Sequence, residues 1–459
     1  MSGFVVLALV HLEDRTVPAD IFRWSPEIGS DHYWTTKNNW DIEDFNHDFG
    51  DTDKVPKPDD TVFFHSTSDY CIVDKAVTIR EVNLGTRFES ALYLRLPLTI
   101  SSPAGSSEEA KLLIEGGTIS GEVVGGVAQN QGLLDIAKTT SEAATMLWKG
   151  GNLVHVSANV RYGAALKVDT IAPKIMHDAV FYIDGLLDWK EGDVTVGNPN
   201  NVPSVIVVNT SGTFDIHAPN YAWGPAGANF RIENHGLVRK FDSGVSLLGG
   251  VYLSNGLTRV EAGTLHHSGK TEQTGYFGRY ELSAGATSKV TGADGLRIRN
   301  GGLVGLGTVD GEVKLGYTDA EATADPYMAS AVLPFIKPQL GNTLGTLTIT
   351  GNFDMLSDGA SMNITLNDGG TISNILVTGV HTASLKGTLN LNLSRAFNPP
   401  PDTHRPFLTA FSIAGDFATI DSSWPEMGSW LSGGKSVSWK LVKGGYNYEL
   451  LSDSPPPGS

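Results

Sequence analysis

A short phrase built on Asn and Gly returns along this chain. It reads Asn130-Gln131-Gly132-Leu133, Gly151-Asn152-Leu153, Asn209-Thr210-Ser211-Gly212, Asn234-His235-Gly236-Leu237, Asn255-Gly256-Leu257 and Asn300-Gly301-Gly302-Leu303. From Asn130 to Asn152 is 22 residues, from Asn209 to Asn234 is 25, on to Asn255 is 21, and on to Asn300 is 45, about twice 22. A turn signal with that period, between short β-rich runs, marks a solenoid. Few other architectures tolerate it, and stacking alone accounts for most of the sequence.

The runs between the turns are strand-like: Ala76-Val77-Thr78-Ile79, Lys111-Leu112-Leu113-Ile114, Val205-Ile206-Val207-Val208, Val245-Ser246-Leu247-Leu248 and Leu296-Arg297-Ile298-Arg299. Each stops at Gly, Asn or Pro, residues that make sharp corners. Asn side chains can also bond the backbone of neighbouring turns, a reason for Asn to recur there. With 53 Gly and no long helical periodicity, the chain reads as all-β. The predicted fold is a right-handed parallel β-helix with an N-terminal cap and a C-terminal section of longer strands that flattens into a sandwich-like end.

The segments follow from the same grammar. Residues 1–19 are leader-like; within them Phe4 to Val10 is apolar but too short to span a bilayer. That run resembles a signal-peptide core, without a preceding Lys or Arg or a following small-residue cleavage site. Residues 20–66 hold Trp24, Trp34 and Trp40 and the acids Asp41, Glu43, Asp44, Asp48, Asp51, Asp53, Asp59 and Asp60, and are expected to cap the first coil. Coils are expected over 67–316, an irregular loop or short helix over 317–340, longer strands over 341–451 and a Pro-rich tail over 452–459.

A net charge of −17 disfavours nucleic acid and anionic membrane surfaces as partners. Cys71 is the sole cysteine, so no internal disulfide supports the fold; it reads as a buried strand residue. No phosphate loop, HExxH, GxSxG or EF-hand loop is present.

Three pieces resemble the exported and surface β-helix proteins of planctomycete bacteria. They are Leu12-Glu13-Asp14-Arg15-Thr16-Val17-Pro18-Ala19; the opening Trp24 … Asn38-Asn39-Trp40 … Val55-Pro56-Lys57-Pro58-Asp59-Asp60-Thr61-Val62-Phe63; and Leu344-Gly345-Thr346-Leu347-Thr348-Ile349-Thr350-Gly351-Asn352-Phe353 with the strands that follow it. The second resembles the capping coil of autotransporter-like β-helices. The basic region that precedes the LEDRTVP phrase in that family is missing here. The resemblance implies export, a β-helix and a place at or beyond the cell surface. It assigns no catalytic residue.

Asp188, Lys190, Glu191 and Asp193, with the indole of Trp189, make the most enzyme-like stretch. Three carboxylates and an ammonium suit Ca²⁺ or acid–base work, and an indole suits sugar stacking; the competing reading is a solvated turn. Trp223, in Tyr221-Ala222-Trp223-Gly224-Pro225, reads as a loop tryptophan available to a sugar. Arg297 and Arg299 share the outward face of one strand and suit a carboxylated polysaccharide or, on the competing reading, neighbouring surface acids. His266 and His267 point to opposite faces and cannot share an ion. No metal site or cofactor is expected, Ca²⁺ at the acidic cap being the one ion the sequence admits.

The leading expectation is a non-enzymatic exported or surface protein with a structural, adhesive or matrix role, with polysaccharide or envelope components as partners. The alternatives are a β-helix polysaccharide lyase or glycoside hydrolase, and a glycan-binding module without catalysis.

Overall fold

The computed structural model describes residues 20–453 apart from 27–30, 44–48, 52–53, 66–68, 104–107, 125–126, 139–142, 198–201, 225–228, 325–332, 394–399, 401, 423–429 and 433–434. The leader-like segment, Asp44, Asp48, Asp53 and the final Ser454–Ser459 lie outside the described residues.

The chain winds into a parallel β-helix whose coils each add one strand to three sheets. In one coil Leu257–Val260 joins the first sheet, Thr264–His267 the second and Thr271–Gln273 the third; in the next, Arg279–Leu282, Thr287–Val290 and Leu296–Ile298 do the same. Leu257 pairs with Arg279 and Thr264 with Thr287, so the repeat in the sequence is one turn of the helix. Alternation sets the faces: in Phe230–Asn234, Phe230, Ile232 and Asn234 point inward and Arg231 outward.

Stacked Val, Ile, Leu and aromatic side chains fill the interior, and Cys71 lies buried among them on the strand Cys71–Val73. Burial raises its thiol well above the ordinary range. Between Asn234 and Val290 the interior departs from this pattern and turns polar. Asn234, inward at its corner, donates to Leu257 O (3.0 Å) and Ser254 Oγ (3.1 Å) of the next coil. Tyr252 Oη shares a hydrogen bond with Thr258 Oγ1 (2.6 Å), and Tyr280 Oη bonds both Ser288 Oγ (2.8 Å) and His267 Nε2 (2.9 Å). The interior here is a hydrogen-bonded network, which offsets most of the cost of burying these polar groups, His267 Nδ1 and Gln273 Oε1 remaining without a partner.

Each end carries antiparallel strands on one sheet. At the N-terminal end Ile21–Trp24 lies parallel to Thr61–Phe64 and antiparallel to Trp40–Glu43. Trp24 and Trp34 pack edge-on against Trp40 at 4.9 and 4.8 Å, over Phe64. These three tryptophans plug the first coil. At the far end the second-sheet strand His404–Thr409 pairs antiparallel with Asn447–Asp453, which pairs with Lys435–Lys443. Phe407 and Phe417 pack against Tyr448 at 5.7 and 5.5 Å. The side chain of Trp439 lies outside the described residues. These antiparallel strands blunt the first sheet at one end and the second at the other, while the third sheet ends on the parallel strands Val77–Ile79 and Ser412–Gly415.

One expectation is extended and one corrected. Within residues 317–340 the expected short helix is Asp319–Ala324, a turn and a half, and Phe335–Lys337 adds a further strand to the first sheet. The later section does not flatten into a sandwich. Its strands lengthen, as in Ser361–Leu366 and Thr388–Leu393, yet they continue the same three sheets. Inward Met362, Ile364 and Leu366 stack on Leu389, Leu391 and Leu393, so the coil core runs on.

Candidate functional site

Register builds a ladder on the outer face of the first sheet. Lys167, Asp188, Asp215, Arg239, Arg259, Glu281 and Val304 succeed one another at matched positions. In its upper half the charges answer each other. Arg239 clamps Asp215 through Nε and Nη2 (2.9 and 2.8 Å), and Arg259 Nη2 holds Glu281 at 2.8 Å.

Below Glu281 the ladder continues through Val304, Lys337, Asn363, Asn390 and Asp421, with fewer charges, and the face hollows. A groove of about 350 Å³ is lined by Lys337, Asn363, Thr365, Asn390, Asn392 and Asp421. A second hollow of about 310 Å³ shares Lys337 and Asn363 and extends it to Phe335, Glu281 and Arg279. Asn390 Nδ2 donates to Asn363 Oδ1 (2.6 Å), fixing both amides. The hairpin of Gln339–Leu340 with Thr343–Leu344 forms a wall, tied down where Thr365 Oγ1 meets Gln339 Oε1 at 3.3 Å. Phe335 lies half-buried over Gly302, where a Cβ would stand 2.3 Å from its ring. The result is an open trough running along the helix axis, lined by amides, the Thr365 hydroxyl, the Lys337 ammonium, the Arg279 guanidinium, the Glu281 and Asp421 carboxylates and the ring of Phe335.

The residues singled out from the sequence separate. Asp188 to Glu191 belong to the strand Leu186–Glu191 and are not a turn. Trp189 points inward and is fully buried, its Nε1 donating to Gly192 O (2.9 Å). Trp223 ends the strand Tyr221–Trp223, also fully buried, edge-on to Trp189 at 5.5 Å and Phe214 at 5.7 Å. Neither indole offers a face to a sugar, which corrects both as ligand-binding candidates; alternation placed them in the core. Asp193 accepts from Ala222 N (2.7 Å) as a corner cap, away from Asp188.

Asp188 gains companions instead. Lys190 Nζ is 3.5 Å from one oxygen, and the other lies 4.0 Å from His217 Nε2. His217 Nδ1 is 3.2 Å from Asp242, and its ring stacks on Phe241 with centroids 4.7 Å apart. Asp215 is the register partner of Asp188. Sequence reasoning missed His217, Asp215 and Asp242 because they join Asp188 only through stacking.

Arg297 and Arg299 do face outward, as alternation requires, and pair with acids. Arg299 bonds Glu272 (2.9 Å) and Glu321 (3.1 Å), and Arg297 bonds Glu321. This clasp holds the helix Asp319–Ala324 against the third sheet. Burial acts to raise the Glu321 pKa, but hydrogen bonds from Arg297 and Thr318 outweigh it and bring it down to about 2. With Arg297 nearly buried, the pair is committed to structure.

His266 and His267 diverge as predicted: His266 bonds Thr291 Oγ1 (3.0 Å) outside, and His267 is buried inside. Among the described residues no cluster of three or more His, Cys, Asp or Glu is arranged to hold a metal. In the cap, Asp60 accepts from Lys57 N (2.7 Å) and Asp20 N (3.0 Å), Asp31 accepts from Thr36 Oγ1 (2.9 Å), and Asp41 pairs with Arg23 (2.8 Å). Among the described residues no helix is long and apolar enough to cross a membrane.

No protein family matches the chain, and no curated protein matches it. The functional reading therefore rests on the geometry of the outer face.

Proposed function

We propose that this is a non-enzymatic β-helix protein, exported or displayed at the cell surface, that binds a linear polysaccharide along its first sheet in an adhesive or matrix role. The observation that carries the reading is the trough from Arg279 to Asp421. Its open shape suits a polymer lying along the axis, and its amides and hydroxyls match sugar hydroxyls as donors and acceptors. Lys337 makes no ion pair among the described residues and is available to a ligand. The carboxylates that line the trough, Glu281 and Asp421, stand five strands apart, about 24 Å at roughly 4.8 Å per strand. Glycoside hydrolysis needs two carboxyl groups about 5 to 9.5 Å apart. The trough thus supports retention of a glycan and lacks that pair for cleavage. Export and a surface location follow the family resemblance of the N-terminal phrase.

A second reading, a polysaccharide-active enzyme, is favoured by the upper ladder. There His217 stands between Asp242 and Asp188, with Asp215 one strand from Asp188. That is an oriented imidazole beside a carboxylate, the equipment of acid–base catalysis. Against it, both oxygens of Asp215 are engaged by Arg239.

A panel of soluble neutral and acidic polysaccharides separates the two, with and without Ca²⁺, reading retention and released ends together. Retention without product, abolished by Asn363→Ala with Asn390→Ala, supports the binding protein. Product release lost in Asp188→Asn or His217→Gln would replace it with the enzyme.

A further inference from the structure

Most corners between the third and first sheets are short in the middle of the helix. Asn255-Gly256 links Ser254 to Leu257, and Arg299-Asn300-Gly301 links Ile298 to Gly302. The corner from Gln273 to Arg279 is longer, with Thr274-Gly275-Tyr276-Phe277-Gly278, as are those from Ile136 to Ala144 and from Leu315 to Phe335. The first of these brings two aromatic rings to the surface. Phe277 is 90% exposed and Tyr276 54%, and their rings meet edge-to-face at 4.8 Å.

The loop that carries them is anchored. Gly278 N donates to Gly275 O (3.0 Å), closing a turn, and Thr274 N donates to Ser254 O (2.7 Å) of the preceding coil. A Cβ on Gly275 would stand 2.1 Å from Asn255 O, and one on Gly278 2.7 Å from Asn255 O, so both glycines are pressed onto the coil beneath. Two large apolar rings in water forgo burial, and a tight turn that displays them does so at a fixed place. That place is the head of the trough, since Arg279, which lines it, follows Phe277 by two residues, about 7 Å of extended chain. Enlarged corners of a solenoid cluster on its binding face.

We propose that Tyr276 and Phe277 form a stacking platform for a pyranose ring of a neutral linear polysaccharide, holding the end of the chain that lies in the trough; this rests on the glycan-binding reading above. The apolar face of a sugar ring fits an aromatic plane while its rim hydroxyls reach polar groups, here those of Arg279 and the trough. Neutral sugars suit the surroundings because Glu281 is already paired with Arg259, Lys337 and Asp421 carry opposite charges, and the amides of Asn363 and Asn390 carry none. Self-association is the other use of exposed rings, but two side chains offer at most about 500 Å², short of the roughly 800 Å² per partner of a stable interface.

The test uses the full chain on mixed-linkage glucan, xylan, galactomannan and polygalacturonate, by affinity electrophoresis and calorimetry. Tyr276→Ala with Phe277→Ala is expected to weaken binding of a neutral polymer by about tenfold or more, with thermal unfolding unchanged, and Phe277→Trp to restore it. Full binding by the double alanine variant, with loss in Asn363→Ala plus Asn390→Ala, overturns the platform and leaves the trough standing. Preference for polygalacturonate overturns the neutral-sugar assignment. Failure of the wild-type chain to bind any of the four removes the glycan reading and the platform together. A concentration-dependent dimer lost in the alanine variant would assign the rings to self-association and overturn the proposal.

Discussion

Acid should loosen the middle coils through one buried imidazole. His267 is 1% exposed, its ring tilted against Tyr252 with centroids 4.6 Å apart, and bonded through Nε2 to Tyr280 Oη. Burial, reinforced by the neighbouring His266, pushes its pKa down to about 3 from the ordinary 6.5. The unfolded chain therefore binds a proton between those values that the folded chain refuses. Stability is fully present above pH 6.5 and is lost as pH falls toward 3. Between pH 7 and pH 5 the loss from this group is about 2 kcal/mol, and any folded value below 4 gives the same figure. Fifty Asp and Glu residues titrate in overlapping ranges, so the measurement must be a difference. Urea midpoints by circular dichroism at pH 7 and pH 5, for wild type and His267→Gln, supply it. Because solenoid coils open locally, hydrogen exchange of the amides between Tyr252 and Val290 should show the same difference. His267→Gln is expected to start less stable and to lose about 2 kcal/mol less on acidification. Equal losses in the two proteins would refute the argument.

Three further outcomes follow from the packing. Trp223→Ala should cost about 3 to 5 kcal/mol of stability through the cavity it leaves beside Trp189 and Phe214, read as a lowered urea midpoint, while glycan retention is unchanged. Glu321→Gln should free the helix Asp319–Ala324, seen as faster proteolysis there with the β-sheet signal intact; because the Glu321 pKa is depressed, the wild type should lose the clasp as pH falls from 4.5 toward 2. Chelation with EDTA should leave the melting temperature unchanged, since Asp31, Asp41 and Asp60 already serve hydrogen bonds and ion pairs of the cap.

The coil period, the inward aliphatic positions and the tryptophan plug at Trp24 and Trp40 were legible because each depends on local spacing. The placement of Trp189 was legible too, in hindsight: Leu187 and Trp189 share one parity, so Asp188 and Lys190 must share the other. What composition hides is that stacking, not sequence proximity, assembles a face. Glu281, Lys337, Asn363, Asn390 and Asp421 come from separate coils, and no window of sequence holds two of them except across whole turns. The polar interior escaped notice for another reason. Ser254, Thr258 and Ser288 are β-formers or corner residues by composition, and only their register with Asn234, Tyr252 and Tyr280 makes them partners.

The backbone hydrogen bonds of the sheets, aligned along the axis between the antiparallel strands of the two ends, have a mechanical meaning. Fifteen described strands, from Thr61–Phe64 to Thr419–Ser422, stack in the first sheet, a rod of about 67 Å at roughly 4.8 Å per step. A pull along that rod loads each rung of bonds in tension, one rung at a time, instead of shearing many together. Each turn of about 22 residues that peels away would pay out about 70 Å of extended chain. Anchored at one end and holding a polymer at the other, such a rod would yield stepwise under load and act as an extensible tether.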